Sequence, residues 1–201
     1  RALRKDGSGS VRATAAESLA GIGTEKAMKA LLRAVDRDAF EQTRIQAAKG
    51  LGAQGGEAGA RGLAELLFLH EEDDDARMTN ALADEIADAL VALGEASTAH
   101  VTAGMDHPDA DIRHAVARIL ATSDDATVHA RLRQALADDA SPRVGAAAAA
   151  ALGARGSADD VSALIGVAVD ASEWGAVRAA ANTSLGRIGS PTAADVLREQ
   201  L

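Results

Sequence analysis

Val11-Arg12-Ala13-Thr14-Ala15-Ala16-Glu17-Ser18-Leu19-Ala20-Gly21-Ile22-Gly23 is the stretch that decides the fold. Its apolar positions fall at Val11, Ala15, Leu19 and Ile22, offsets 0, +4, +8 and +11, which make one face of a helix. Small Ala15 and Ala16 let a neighbouring helix axis come close. Gly23 at +12 suits a helix end, where a left-handed glycine satisfies free carbonyls.

The phrase recurs as Thr43-Arg44, Ala47-Ala48, Leu51 and Gly55. It recurs as Val144, Ala148-Ala149, Leu152 and Gly156, and as Val177-Arg178, Ala181, Leu185 and Ile188-Gly189. Two degenerate copies run from Leu82 through Ile86-Ala87 to Leu93-Gly94, and from Ile112-Arg113 through Val116-Ala117 to Leu120. The fourth copy carries Asp124 in place of the glycine, so its exit turn is expected to differ. The starts at 11, 43, 82, 112, 144 and 177 are separated by 32, 39, 30, 32 and 33 residues. A second apolar helix follows each phrase, and Asp/Gly/Ser/Pro-rich turns such as Asp6-Gly7-Ser8-Gly9 and Asp139-Ala140-Ser141-Pro142 join the pairs. Each repeat is therefore a helical hairpin that buries its apolar face only against its neighbours. The fold class is all-α, an α-α superhelix of about six hairpins spanning residues 1–201. Irregular stacking or a bend is expected between the third and fourth copies, where the phrase decays.

Composition agrees. Of 201 residues only Phe40, Phe68 and Trp174 are aromatic, and three are proline. Alanine supplies much of the apolar content, which favours short, closely packed helices. The net charge of −9 argues against a duplex-binding surface, so no nucleic-acid partner is expected. The absence of cysteine excludes disulfides, thiolate metal sites and cysteine nucleophiles. No run is long and apolar enough to span a membrane and no signal peptide is visible, so the expected location is cytoplasmic. The chain opens at Arg1 inside a hairpin and reads as a fragment of a longer protein.

The phrase, carried by Asp6, Val11, Arg12, Ala15, Ala16, Leu19, Ile22 and Gly23, resembles the HEAT repeat, in the subclass called PBS-lyase HEAT-like. The resemblance covers nearly the whole chain. It implies a stacked-hairpin platform, and such platforms serve as scaffolds, adaptors, bilin lyases, a di-iron hydroxylase and appended domains of larger enzymes.

The residues sort these possibilities. Arg12, Arg44, Arg113 and Arg178 recur at +1, and Asp6, Asp38 and Asp139 stand five residues before a phrase. Their periodicity marks a structural ladder rather than an anion site. The histidines His70, His100, His107, His114 and His129 form no metal-binding helix motif and read as surface residues. One His70-Glu71 dipeptide does not supply the several such pairs that the di-iron resemblance implies. No metal, cofactor or catalytic constellation is expected, and the chain reads as a non-enzyme.

Candidate partner-binding residues lie elsewhere. Glu71, Glu72, Asp73, Asp74 and Asp75 form an acidic insertion in the 39-residue spacing. Phe40 and Trp174 each stand three residues before a phrase, on the same turn of two repeats. Glu17, Lys49, Asp88 and Arg118 occupy +6, away from the apolar stripe, on a surface that turns small and alanine-lined toward the end of the chain. Such a surface suits a helix or an extended peptide. The leading expectation is a protein–protein interaction scaffold. An accessory domain of a larger enzyme, such as a gluzincin aminopeptidase relative, is the alternative. A bilin lyase-like or chaperone-like role stands third, because aromatics are scarce. End-to-end self-association is a further expectation, since neither terminal repeat carries a strongly polar cap.

Overall fold

The computed structural model describes residues 2–68 and 79–199, and these are helical with no strand. The chain divides into two compact units, residues 1–101 and 102–201, and the division falls between the third and fourth phrases. The first unit holds α1 (Ala2–Lys5), α2 (Gly9–Ala20), α3 (Glu25–Arg37), α4 (Glu41–Gln54), α5 (Gly56–Phe68), α6 (Asn80–Leu93) and α7 (Glu95–Val101). The second opens with a 3-10 turn, Thr102–Asp106. It continues as α8 (Ala110–Leu120), α9 (Ala126–Asp138), α10 (Pro142–Arg155), α11 (Ala158–Val169), α12 (Gly175–Ile188) and α13 (Pro191–Glu199).

The phrases lie on α2, α4 and α6 in the first unit and on α8, α10 and α12 in the second, each packing beside the next of its own unit. Within each unit the second helices also pack on one another, α3 on α5 and α5 on α7 in the first, α9 on α11 and α11 on α13 in the second. The phrase alanines and leucines make the core: Ala16, Ala47, Ala48, Leu51, Ile86, Leu90, Val116, Leu120, Ala148, Leu152, Ala181 and Leu185 are fully buried. Burying each leucine contributes roughly 1.5–3 kcal/mol, whereas alanine contributes little and mainly sets the spacing.

One register rule governs the stacking. A Cβ added at Gly50 would stand 2.7 Å from the Ala20 Cβ, one at Gly52 would stand 2.7 Å from the Ala89 Cα, and one at Gly153 would stand 2.3 Å from the Ser184 Cβ. In phrase offsets, a small residue at +9 meets a small residue at +7 of the following repeat each time. Close approach also lets the Ser184 hydroxyl donate to the Ala149 carbonyl at 2.8 Å. The residues at these offsets on either side of the division are large, Val91 at +9 of the third copy and Ile119 at +7 of the fourth.

The helix exits differ from the sequence expectation of a left-handed glycine at +12. Gly23, Gly94 and Gly189 do adopt positive φ. Gly55 is right-handed at φ −71°, and the left-handed residue is the next one, Gly56. Gly156 is not left-handed either, with φ −17°. Its glycine answers to packing, because a Cβ there would stand 2.3 Å from Ile188 Cδ1. The fourth copy leaves its helix through Ala121, Thr122 and Ser123, with the Ser123 amide donating to the Leu120 carbonyl. No described helix is long and apolar enough to cross a membrane.

Candidate interaction surface

Three of the four recurring arginines, Arg12, Arg44 and Arg113, bond inside the repeats. Arg12 grips Asp38 with two parallel bonds of 2.8 Å and donates its third nitrogen to the Asp6 carbonyl at 2.8 Å. Arg113 repeats the pattern on Asp139 at 2.8 and 2.9 Å and on the His107 carbonyl at 2.8 Å. Arg44 is buried and donates to the Asp38 carbonyl at 2.8 Å. The carboxylates also accept local backbone amides: Asp6 from Ser8, Asp38 from Phe40 and Asp139 from Ser141. Burial works against the Asp38 charge, but the bonds from Arg12 and Phe40 outweigh it and hold the carboxyl below its usual range. Arg113 does the same for Asp139 against its burial. Arg178 is half-buried, and its charge adds to the Ser172 hydrogen bonds that hold Asp170 low. A guanidinium with its fork committed to a carboxylate and a turn carbonyl in this way cements the turn, which is the structural use of the residue.

Phe40 and Trp174 cap α4 and α12 at the same register but differ in surroundings. The Phe40 ring lies over the first turn of α2, where a Cβ on Gly9 would come within 2.4 Å of its Cγ. Trp174 is 63% exposed, and its amide donates to the Glu173 side chain at 2.7 Å.

The +6 residues fall where the phrase register puts them. Glu17, Lys49 and Asp88 are exposed on the three phrase helices of the first unit, and Lys49 pairs across to Glu85 at 3.4 Å. Arg118, in the second unit, is half-buried. The acidic insertion Glu71–Asp75 and His70 lie outside the described residues.

Three histidines hold local contacts: His100 with Glu57 at 3.2 Å, His107 accepting the Asp109 amide at 3.2 Å, and His114 with the Arg143 carbonyl at 3.2 Å. Burial pushes His114 below its ordinary value. Among the described residues no group of three or more His, Asp or Glu is placed to hold a metal ion.

His129 corrects the reading of a surface histidine. It is buried between α9 and α11, with Nδ1 2.7 Å from Asp160 and Nε2 3.0 Å from the Ser123 carbonyl. Asp160 is fully buried, takes a 2.5 Å bond from Arg133, and closes a capping box with Ser157 at the start of α11. Burial opposes the Asp160 charge, yet the bonds from Ser157, His129 and Arg133 bring its carboxyl down to about 2. Two signals were present in the sequence: His129 sits in the stripe of Val128 and Leu132, and Ser157-x-x-Asp160 is a capping-box spacing.

Comparisons with known proteins follow the same lines. No curated protein matches the sequence. The chain is similar in structure to the complex of CpcE and CpcF of phycocyanin lyase from Nostoc sp. PCC7120, with TM-score 0.50 and 19% identity over 100% of this chain and 80% of that one. It is also similar to human deoxyhypusine hydroxylase, with TM-score 0.47 and 20% identity over 92% of this chain and 81% of that one. An engineered protein matches with TM-score 0.47 and 17% identity over 98% of this chain and 59% of that one. Likenesses at this identity concern the fold. The HEAT-repeat model matches residues 1–83 and 98–176. With the repeating phrase, the stacked hairpins and that match in hand, the chain belongs to the HEAT-repeat family.

Proposed function

We propose that this chain is a non-catalytic protein–protein interaction module whose contact edge centres on Trp174. The observation that carries the reading is the 63% exposure of Trp174 in a chain with three aromatics in all. Phe40 at the same register lies over Gly9 of the preceding repeat and is 42% exposed; Trp174 keeps more of its surface in water. An exposed tryptophan on a rigid turn is the residue type that anchors interfaces, where truncation typically costs about 2 kcal/mol or more.

The test is affinity capture from native lysate with the wild-type chain and a Trp174→Ala control, read by mass spectrometry and then by titration with the purified partner. The reading requires a specific protein whose affinity for the variant drops at least tenfold. Equal affinity for both chains rejects Trp174 as the contact edge.

A further inference from the structure

The stretch through the first hairpin, residues 1–39, is net positive, while the rest of the chain taken together is net negative. Residues 1–39 hold eight Lys and Arg against five Asp and Glu, whereas residues 40–201 hold 13 against 25. Within that stretch the cations are not scattered. Lys26, Lys29, Arg33 and Arg37 follow helical spacing on α3 and line one groove of about 890 Å³.

The repeat does not require this stripe. At the same phrase offsets α9 carries Thr127, Ala130, Gln134 and Asp138, and α11 and its C-cap carry carboxylates at Asp159 and Asp170. Nor is the stripe neutralised. Lys29 pairs with Glu25 at 2.6 Å and Arg37 with Asp36 at 2.7 Å, but Lys26 and Arg33 are exposed and have no ion pair among the described residues. The two carboxylates nearest the groove, Asp6 and Asp38, are committed to the Ser8 amide and to Arg12. The groove floor is apolar, formed by Leu3, Leu19, Ala30 and Ala34.

An apolar floor beside a row of cations is complementary to a helix with an apolar face and carboxylates along its flank. We infer that the α3 groove docks an acidic amphipathic helix of a partner protein, its apolar side on Leu19 and Ala30 and its carboxylates on Lys26 and Arg33. This rests on the interaction-module reading and names a second contact edge for it, on the first unit.

The experiment uses the full 201-residue chain and a fluorescein-labelled model peptide of glutamate and leucine at helical spacing, with its lysine–leucine counterpart, followed by anisotropy. The acidic peptide should bind, and the Lys26→Glu/Arg33→Glu variant should bind at least tenfold more weakly. Added salt should weaken the wild-type complex, because the charges involved are exposed. Both side chains are exposed, so the variant should keep the wild-type helical signal and melting temperature; Lys26→Gln/Arg33→Gln gives an intermediate loss. Failure of the acidic peptide to bind, equal binding by the variant, or equal binding of the lysine–leucine peptide overturns the proposal. Tighter binding of single-stranded DNA than of the peptide, lost in the same variant, also overturns it in favour of a polyanion surface. If Trp174→Ala releases the native partner while the acidic peptide never binds, the module reading stands and the α3 site falls. If the peptide binds through α3 and Trp174→Ala changes nothing, the Trp174 edge is what falls.

Discussion

His129 of α9 and Asp160 of α11 meet at 2.7 Å inside the second unit, and both ring nitrogens of His129 face oxygen acceptors. Asp160 is the hub, because it also receives Arg133 and the Ser157 hydroxyl. Its carboxyl drops from an ordinary 3.8 to about 2 in the folded chain. The unfolded chain therefore takes up this proton first as pH falls. The stabilisation is complete above about pH 5 and is lost as pH falls toward about 2, about 2 kcal/mol in all. Acid unfolding followed by helical signal should show this loss, and Asp160→Asn should flatten it. His129→Phe should lower stability at neutral pH by about 1–3 kcal/mol, since it removes the ring's hydrogen bonding to Asp160 inside a buried site.

The ladder should prove intolerant of lysine. Arg113→Lys keeps the charge but loses the fork that holds Asp139 and the His107 carbonyl together. A loss of about 1–2 kcal/mol is expected in urea unfolding, with Arg113→Ala costing more. Arg178→Lys should cost less than Arg113→Lys, and equal losses would show that Arg178 carries a rung of the same kind.

Two glycines should respond in opposite directions. Gly153→Ala forces a methyl to within 2.3 Å of Ser184 and should destabilise by about 1–3 kcal/mol. Gly166→Ala, on the exposed side of α11 with nothing within 4 Å, should stabilise by about 0.5–1 kcal/mol. Melting temperatures of the two variants decide this directly.

Phe40 and Trp174 should part company in stability. Phe40→Ala removes the ring from the first turn of α2 and should cost about 1 kcal/mol or more, while Trp174→Ala should stay within about 0.5 kcal/mol of wild type. Thermal melts of the two single variants would expose a packed Trp174 as an unexpected loss.

Much of the fold could be read from residues 11 to 23 alone, because a phrase spaced by helical offsets and repeated every 30 to 39 residues leaves few other solutions. The ladder was legible for the same reason: Arg12, Arg113, Asp38 and Asp139 recur at fixed offsets, and the bonds follow. What was not legible lies where a residue departs from the repeat. His129 looked like an exposed histidine because its partner Asp160 is 31 residues away on another hairpin. The α3 cations occur once, so a search for recurrence passes over them. Gly156 does close α10, but without the left-handed conformation, and it also leaves room for Ile188.

The rungs of the ladder have a kinetic side. Arg12 reaches 26 residues to Asp38, Arg113 reaches 26 to Asp139, Thr43 reaches 34 to the Gly9 carbonyl, and Ser184 reaches 35 to Ala149. Loop-closure entropy rises only with the logarithm of loop length, so these contacts cost the chain nearly the same wherever they form. No hairpin has to wait for a distant one. Folding starts wherever two neighbouring helices first hold, and each hairpin already in place shortens the search of the next.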